Sequence, residues 1–420
     1  MRRLKSVYHY ILAGVANLLY RFPSKKIYVI GVTGTKGKST TVELINAALE
    51  AVGKKTALCS SIRFKIAGEV EKNTSGMTMP GRLFLQRFLR RAVSAGCEYA
   101  IVEVTSQGIL QHRHRFIQWD AALITNIRPE HIDAHGSFEN YRNSKVSFFD
   151  YAGRYSRKRK TFFINEGDQA QGYFAEAADG YGNIVYFSRE RFIDKDLNQG
   201  RDSIGDWLFG NFNLENAAAA NAVAQHLGVD WPIIKKTFKA FQGVPGRMEY
   251  LQREPFGVVI DYAHTPDSLA KIYNAVLEGK KQGSAKKLIC ALGAAGGGRD
   301  KWKRPVMGRI ASEHCREIVL TNEDPFDEDP LQIIEEIKAG ISPLRWSEAR
   351  STKWSGNAPY VYEILDRRAA IEKALSFAKK GDVVVITGKG SEDWIRVANG
   401  KKIPWNERKV TKEILQNLNI

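Results

Sequence analysis

Short apolar runs alternate with segments of helical spacing along most of the chain, as in proteins with a parallel α/β sheet. An apolar run at 27–30 leads into a glycine-rich loop, and residues 41–52 then have the apolar spacing of a helix. Further apolar runs predict strands at 99–104, 121–125 and 162–164. Helical patterns separate several of these strands, so we predict an α/β domain with a mostly parallel sheet.

A second set of apolar runs follows the Gly/Pro cluster at 243–246. It predicts strands at 258–261, 287–292, 317–321 and 382–387. Glycine and proline clusters mark breaks between elements, so we place a domain boundary there. The predicted organisation is an N-terminal helix over 1–26, a P-loop central domain over 27–244 and a Rossmann-like C-terminal α/β domain over 245–420.

The first 26 residues combine an apolar stretch at 7–20 with basic residues at both ends, and they contain no acidic residue. The basic residues are Arg2, Arg3, Lys5, Arg21, Lys25 and Lys26. We predict one basic amphipathic helix that ends near Pro23 and packs on the domain behind it. The alternatives are a helix that lies on an anionic membrane surface with its apolar face inserted, and one that binds a partner protein.

Composition narrows the class of partner. The 420 residues include 63 basic and 46 acidic ones, and the net charge of +17 favours an anionic partner such as a nucleotide, an acidic substrate or a lipid surface. Basic and aromatic residues are not interleaved, so we predict no nucleic-acid partner. The four cysteines form no C-x-x-C pair, which argues against zinc and disulfides and favours a reducing cytoplasm.

The loop after the first strand carries the candidate chemistry. It reads Gly34-Thr35-Lys36-Gly37-Lys38-Ser39-Thr40. A loop of this type presents backbone N–H groups to phosphate oxygens, while its lysine reaches the terminal phosphates and its hydroxyl binds magnesium. Lys38 and Ser39 take those roles, so we predict a site for ATP and Mg²⁺.

Together with this loop, a series of ordered segments resembles the Mur ligase family from about residue 27 to the end of the chain. These segments are Glu103-Val104-Thr105-Ser106, Thr125-Asn126-Ile127, His131 to Gly136, Asn140-Tyr141 with Lys145, Gly210 to Ala217, Gly246 to Glu249, Asp261 to Pro266, Arg299-Asp300 with Arg304-Pro305, and Gly388-Lys389-Gly390-Ser391-Glu392. The most similar branch adds the third amino acid to the muramoyl peptide. The resemblance implies an ATP-dependent ligase that activates a carboxylate as an acyl phosphate and joins it to an amine.

The resemblance also implies catalytic and metal-binding residues. Glu103 and His131 would bind magnesium with Ser39, and the lysine at the position of Lys145 is carbamylated in the family, which makes it a carboxylate-like metal ligand. Each of these residues has a structural alternative. A strand-end glutamate can be a cap or an ion-pair partner, a loop histidine can have no ligand, and a helix lysine can be solvated.

Nucleotide and acceptor contacts follow from the same resemblance. Outside the loop, the implied nucleotide contacts are Asn213, Asn216, Arg247, Asp261, His264 and Arg304. Either asparagine can instead cap a helix. The residues implied to hold the growing peptide are Thr105, Ser106, Gln111 and Arg113, the last by pairing with a carboxylate.

Several features depart from the family pattern, and the first concerns the N-terminal region. Family members carry a further N-terminal domain that binds the UDP end of the substrate, whereas here only the basic helix precedes the loop. We therefore expect the acceptor to be presented without that domain, by a partner protein or as a lipid-linked precursor near the inner face of the membrane.

The second departure concerns the incoming amino acid. Ligases that add diaminopimelate have an Asp-Asn-Pro-Arg segment whose arginine binds the distal carboxylate, and the matching segment here is Glu323-Asp324-Pro325-Phe326. This segment and the residues after it contain Glu323, Asp324, Asp327 and Glu328. The motif at 388–392 adds Gly388 and Glu392 to the predicted substrate residues. We expect the acidic residues among these to favour a basic side chain such as that of lysine or ornithine; the alternative is that several of them face solvent.

The resulting hypothesis is a cytoplasmic amino-acid ligase of the cell-wall type that uses a small-molecule amino acid and a peptide-type acceptor. A poly-γ-glutamate or folylpolyglutamate-type ligase remains an alternative. Lys36 replaces the asparagine usual in Mur ligases, and the loop with this lysine resembles that of poly-γ-glutamate synthases. A non-catalytic nucleotide-binding scaffold at the membrane is the alternative from another class.

Overall fold

The computed structural model describes residues 2–130, 132–155, 160–196, 207, 210–278, 287–298, 300–341 and 359–418. The chain divides into two compact units, Met1–Gln242 and Gly243–Ile420. Each unit contains its own large sheet.

The first unit is built on an eight-stranded sheet with the order β4-β3-β2-β5-β1-β6-β7-β8. Its strands are β1 (Tyr28–Thr33), β2 (Thr56–Cys59), β3 (Arg63–Ile66), β4 (Glu69–Lys72), β5 (Tyr99–Glu103), β6 (Ala121–Ile124), β7 (Lys160–Asn165) and β8 (Gly182–Phe187). The neighbouring strands β2, β5, β1, β6, β7 and β8 pair in parallel. Strands β3 and β4 extend the β2 edge of the sheet as antiparallel strands. The predicted strands at 99–104, 121–125 and 162–164 therefore lie in one mostly parallel sheet.

Helices cover both faces of this sheet. They are α1 (Arg2–Leu19), α2 (Lys38–Ala51), α3 (Arg82–Ser94), α4 (Ser106–Leu110), α5 (Ile132–His135), α6 (Phe138–Arg154), α7 (Gln171–Ala178), α8 (Arg189–Arg191), α9 (Asn211–His226) and α10 (Trp231–Ala240), with a 3₁₀ turn at Pro23–Lys25 and a π-helical turn at Phe192–Asp196. Side chains alternate along a strand, so Val29 of β1 packs with α3, α6 and α7, and its neighbours Ile30 and Val32 pack with α2, α9 and α10. This two-sided burial explains the continuous apolar run of β1.

Helix α1 packs along one side on the rest of the first unit. Ala13, Ala16 and Asn17 are buried, and α3 is the main neighbouring helix. Among the described residues, no helix combines the length and the apolar character needed to cross a membrane.

The second unit has a six-stranded sheet with the order β13-β12-β11-β14-β10-β9. Its strands are β9 (Glu249–Gln252), β10 (Gly257–Asp261), β11 (Leu288–Leu292), β12 (Glu317–Leu320), β13 (Tyr360–Glu363) and β14 (Val383–Thr387), with a separate hairpin of β15 (Trp394–Arg396) and β16 (Lys402–Pro404). All pairings in the six-stranded sheet are parallel except that of β9 with β10. The predicted α/β class, with a parallel sheet in each half, is confirmed.

The helices of the second unit also lie against its sheet. They are α11 (Pro266–Glu278), α12 (Lys303–His314), α13 (Pro330–Lys338), α14 (Arg367–Ser376) and α15 (Glu407–Asn417). Apolar side chains of α14 and α15 pack on alternate residues of β10, β11 and β14. The helices α11, α12 and α13 pack side by side, so this unit also has a core of its own.

Candidate active site

The glycine-rich loop lies between the carboxyl end of β1 and the first turn of α2. Gly34 and Gly37 have φ angles of 139° and 87°, which side-chain-bearing residues rarely adopt. A Cβ atom at Gly34 would overlap the Thr125 hydroxyl, and one at Gly37 would overlap the Asn216 side-chain oxygen. Both glycines are therefore required by backbone conformation and by close packing.

Residues after β6 hold the loop in place. Thr35 N donates to the Asn126 carbonyl at 2.8 Å, and Lys36 N donates to Asn126 Oδ1 at 3.0 Å. Thr125 Oγ1 donates to the Lys36 carbonyl at 2.7 Å, and Arg128 N donates to Thr35 Oγ1 at 2.9 Å. These bonds explain why the Thr-Asn segment accompanies the loop in the sequence.

Lys38 and Lys36 point in different directions. Lys38 Nζ donates to the carbonyls of Gly34 and Thr35, each at 2.9 Å, so its charge lies beside the loop. Lys36 Nζ forms an ion pair with Glu130 Oε1 at 2.7 Å. The α2 N-terminus and Lys38 together form a cationic cradle suited to phosphate oxygens.

A small oxygen cluster lies at the start of α2. Ser39 Oγ is 2.8 Å from Ser61 Oγ, and Ser61 donates to Glu103 Oε1 through its backbone N at 2.9 Å and its hydroxyl at 3.2 Å. Glu103 is buried, so its carboxylate is fixed in position. Two hydroxyls and a carboxylate form a donor set that suits Mg²⁺.

Ser61 is a site residue that the sequence analysis missed. It follows β2, which pairs with β5, and parallel neighbours end at the same edge of a sheet. The available signal was the Ser60-Ser61 pair directly after an apolar run. The predicted ligand His131 and the motif residue Arg299 lie outside the described residues, and in the described part of the chain no three His, Cys, Asp or Glu side chains form a metal-binding group.

Lys145 of α6 is buried and donates from Nζ to the Gly34 carbonyl at 3.0 Å. Burial, and then the charge of Lys38, lower the pKa of Lys145 well below its usual value, while Glu130 opposes the shift. The alternative of a solvated helix lysine is wrong. The amine therefore lies beside the phosphate loop, in surroundings that favour its uncharged form.

The predicted acceptor residues cluster at α4 and the loop after it. Thr105 caps α4 by accepting from Gly108 N at 3.1 Å, and the Ser106 hydroxyl is 3.1 Å from His135 Nε2. Arg113 Nη2 donates to Gln111 Oε1 at 2.7 Å and Nη1 donates to the Met79 carbonyl. Arg113 is thus held in a defined position from which a carboxylate can be recognised.

Asn213 and Asn216 lie on α9, and Asn216 faces the phosphate loop. Asn216 Oδ1 is the atom that a side chain at Gly37 would strike, and Asn213 Nδ2 donates to the Trp207 carbonyl at 3.1 Å. The N-cap of α9 is Gly210. The alternative that either asparagine caps this helix is therefore wrong.

The remaining predicted nucleotide residues belong to the second unit. Asp261 accepts from the backbone N of Met248 at 2.6 Å and of Ala263 at 2.7 Å, so it orders the turn after β10. The Arg247 guanidinium lies 4.3 Å from the centroid of the Tyr262 ring, and His264 Nδ1 is 2.8 Å from the Tyr262 carbonyl. These three residues lie together around one turn.

Arg304 is completely buried, and its contacts are ionic. It pairs with Glu336 at 2.6 Å and with Glu328 at 3.0 Å. Burial of a charge is tolerated only with such partners. Its nucleotide contact stays a prediction, and its ion pairs join α12 to α13.

The acidic segment at 323–328 is largely enclosed in the second unit. Lys389 Nζ forms ion pairs with Asp324 at 2.8 Å and Glu392 at 2.5 Å, and Glu392 also accepts from the Tyr262 hydroxyl. Asp327 accepts from Asn399 N at 2.7 Å. The alternative that several of these acids simply face solvent is wrong for Glu323 and Asp324, which are buried.

Glu323 differs from its neighbours. Its Oε2 has no hydrogen-bond partner among the described residues, and a Cβ atom at Gly388 would lie 2.5 Å from that oxygen. Burial raises the pKa of Glu323, and the charge of Lys389 opposes the shift. The Glu323 carboxylate thus packs directly against Gly388, where no side chain could be accommodated.

A strand, a glycine loop, a helix N-terminus and a hydroxyl–carboxylate cluster define a nucleotide-binding α/β protein of the P-loop type. Residues 32–224 match the Mur ligase middle domain, and residues 246–390 match the Mur ligase glutamate ligase domain. The chain belongs to the Mur ligase family. As predicted, it is an ATP-dependent ligase of the family that serves peptidoglycan synthesis.

Two relatives illustrate the similarity. The UDP-N-acetylmuramoyl-L-alanyl-D-glutamate–2,6-diaminopimelate ligase of Syntrophomonas wolfei subsp. wolfei is 35% identical, over 96% of this chain and 81% of the relative. The UDP-N-acetylmuramyl-tripeptide synthetase of a Roseiflexus species is 33% identical, over 97% of this chain and 82% of the relative. The chain thus spans about four fifths of the length of these relatives.

Solved structures agree in fold. A UDP-N-acetylmuramoyl-L-alanyl-D-glutamate–2,6-diaminopimelate ligase is 26% identical with a TM-score of 0.59, and the match covers 94% of this chain and 79% of the other. A Mycobacterium tuberculosis folylpolyglutamate synthase, solved with ADP and AMPPCP, is 18% identical with a TM-score of 0.69. This match covers 90% of the present chain and 91% of the synthase. The second likeness concerns the fold alone.

Proposed function

We propose that this chain adds an amino acid of the lysine type, rather than diaminopimelate, to the carboxylate of a muramoyl-peptide-type acceptor in the cytoplasm. The observation that carries the amino-acid preference is Phe326, which stands where diaminopimelate ligases have an arginine. A phenyl ring cannot form the paired hydrogen bonds that an arginine forms with a carboxylate.

The first chemical step joins two anions. A carboxylate oxygen of the acceptor attacks the γ-phosphorus of ATP, the bond from that phosphorus to the bridging oxygen breaks, and ADP leaves. The cationic cradle of Lys38 and the α2 N-terminus lowers the repulsion between the reacting anions. This step yields the acyl phosphate.

The residues around the loop fit the requirements of a magnesium ion. Ser39, Ser61 and Glu103 would hold it, and when bound it neutralises charge on the phosphate oxygens. The buried Lys145 suits carbamylation because only a neutral amine attacks CO₂. The new N–C bond forms with loss of a proton from nitrogen, and the product is an anionic carbamate that the family resemblance leads us to expect.

The second step forms the amide. The amino group of the incoming amino acid attacks the acyl carbon, the tetrahedral intermediate expels phosphate with the C–O bonding electrons, and the nitrogen loses a proton. Arg113, Gln111, Thr105 and Ser106 would hold the acceptor peptide. By the family resemblance, Asn213 and Asn216 would contact the adenine, and Arg247 and His264 are the nucleotide contacts predicted in the second unit.

Glu323 is the carboxylate best suited to a basic side chain. Asp324 and Glu392 already pair with Lys389, whereas Glu323 retains an oxygen without a hydrogen bond in the described structure. A substrate ammonium group would satisfy that oxygen and remove the cost of burying it. Of the acidic residues predicted to bind the basic side chain of the incoming amino acid, we therefore assign this role to Glu323.

A panel of amino acids tests the proposal. Phosphate release should be measured with lysine, ornithine and meso-diaminopimelate, each with a muramoyl-dipeptide acceptor with and without UDP. We expect lysine or ornithine to be preferred, and Phe326→Arg to move the preference toward diaminopimelate. Since several relatives are named as diaminopimelate ligases, a preference of the unmodified chain for diaminopimelate would sink the proposal.

The acceptor has its own control. The resemblance to folylpolyglutamate synthase in fold makes a folate-type acceptor the appropriate competitor. We expect the muramoyl peptide to support turnover and the folate to support none. Turnover with the folate alone would replace the proposed acceptor while leaving the ligase chemistry in place.

A further inference from the structure

The outer face of α1 is apolar along its length, and the ligase chemistry does not use it. Val7, Ile11, Val15 and Leu18 are between 53% and 65% exposed. Their spacing of three or four residues places them on one side of the helix. Tyr8 and Leu19 extend the same surface, which we call the α1 stripe.

The opposite side of α1 is already occupied by its own domain. Ser6 Oγ lies 2.7 Å from His112 Nε2, and the Tyr10 and Phe116 rings are 5.0 Å apart. A Cβ atom at Gly14 would lie 3.4 Å from the Phe116 ring. These contacts hold the helix with the α1 stripe facing outward. The stripe therefore does not pack on the domain that carries it.

The charges around the stripe identify the surface it fits. No acidic residue precedes Glu43, and both ends of the helix carry cations. Lys25 and Lys26 are exposed after its C-terminal end, beside the exposed Phe22 ring. An apolar stripe bounded by cations matches the boundary between acyl chains and anionic headgroups. A second copy of the stripe would instead bring cations close to one another.

We propose that α1 docks on an anionic lipid bilayer, lying in the plane of the interface with the α1 stripe inserted. Because His112 and Phe116 contact the side of α1 opposite the stripe, docking places the 111–116 loop behind the helix, about 10 Å or one helix diameter from the bilayer surface. If the proposed function holds, Gln111 and Arg113 then meet the acceptor close to the membrane. The docking itself does not depend on that function.

Vesicle binding by the full chain tests the docking. Vesicles of phosphatidylcholine with phosphatidylglycerol should bind the protein, and vesicles of phosphatidylcholine alone should not. The double variant Ile11→Gln, Leu18→Gln should lose affinity by about tenfold or more, because it removes two inserted aliphatic side chains. The matched control is Leu331→Gln, Ile403→Gln, which changes aliphatic residues of 57% and 50% exposure in the second unit and should bind as the unmodified chain does.

A second pair of variants tests the charges. Lys25→Gln with Lys26→Gln should weaken binding and reduce its dependence on salt, since the headgroup attraction is screened by ions. The control is Lys379→Gln with Lys380→Gln, another adjacent exposed pair. All substituted side chains are exposed, so thermal melts should be unchanged.

Three results would overturn the proposal. The first is no binding of the unmodified chain to the anionic vesicles. The second is an equal loss of affinity in the stripe variant and its control. The third is a dimer in sedimentation that the stripe variant dissociates, together with no vesicle binding, which would make a second copy the occupant.

Discussion

Lys145 is the residue whose surroundings most change its chemistry. An ordinary lysine is a solvated cation, whereas this side chain is buried beside the positive charge of Lys38 and donates to the Gly34 carbonyl. Both effects favour the neutral amine. Reactivity toward CO₂ and a cost to stability are two consequences of the same environment.

Carbamylation can be tested by chemical rescue. Lys145→Ala should lower the rate of phosphate release by about 100-fold or more, as expected for loss of a metal-supporting group. A short carboxylic acid such as acetate should restore part of the rate by occupying the vacated space. The control is Lys38→Ala, which should be inactive and not rescued; equal rescue of both variants, or of neither, would contradict carbamylation.

The lowered pKa of Lys145 also predicts a pH dependence of stability. Between its folded-state pKa and the usual 10.5, the unfolded chain binds one more proton than the folded chain, so the free energy of unfolding rises with pH. Lys145→Met lacks this contribution. In CO₂-free buffer the variant should be relatively most stable near neutral pH, and this advantage should shrink as the pH approaches the usual lysine value.

Denaturant unfolding at a series of pH values measures this difference. Loss of the hydrogen bond to Gly34 lowers the free energy of unfolding of the variant by the same amount at every pH. It therefore does not change how the difference between the two proteins varies with pH. A difference between the two proteins that stays constant from about pH 7 to about pH 10 would show that Lys145 keeps its charge in the folded state.

At the scale of elements, the unit of β1, the loop and α2 depends on close packing around glycine. Gly31 lies in the middle of β1, and a Cβ atom there would lie 2.5 Å from Phe148 Cζ and 2.8 Å from Trp119 Cε3. Both rings are buried, so neither can move into solvent. The site therefore rests on a strand that admits no side chain at this position.

Gly31→Ala should lower the free energy of unfolding by about 1–3 kcal/mol through overpacking. The matched control is Gly172→Ala in α7, where no atom lies within 4 Å of the added Cβ. That change should be neutral or slightly stabilising, because alanine has the higher helix propensity. Similar destabilisation of the two variants in thermal melts would mean that the packing at Gly31 is not the cause.

Local patterns predicted β1, β5, β6, β7, β10, β11, β12 and β14 and the phosphate loop. They did not predict β3 and β4, because the alternation in Arg63–Ile66 is short and Glu69–Lys72 is exposed and charged. They placed the helix at 41–52, whereas α2 begins at Lys38, because the left-handed Gly37 lets the helix start within the loop. Short edge strands and loop conformations are set by tertiary contacts, which periodicity does not record.

The site was predictable to a different extent. Of the residues that the loop motif and the family resemblance indicated, Asn216 lies beside Gly37 and Lys145 contacts Gly34, whereas Arg247, Asp261 and His264 belong to the second unit. Ser61 was not predictable from a motif, since its proximity to Glu103 arises from the pairing of β2 with β5. The pairing of Asp324 with Lys389 was equally hidden, because these partners are 65 residues apart in the chain.

For the whole molecule, the central claim is amide formation through an acyl phosphate. The parts assigned to this chemistry are the cationic cradle at Lys38, the oxygen cluster at Ser39 and Glu103, and the buried amine of Lys145. Such a mechanism moves one carboxylate oxygen of the acceptor into phosphate. Activation as an adenylate would move it into AMP.

Oxygen-isotope transfer separates these mechanisms. The full chain should be supplied with ATP, lysine and a muramoyl-dipeptide acceptor whose reacting carboxylate carries ¹⁸O, and the products analysed by mass spectrometry. The account predicts ADP and inorganic phosphate with one ¹⁸O atom for each amide formed. Label in AMP, or amide formation with unlabelled phosphate, would contradict it.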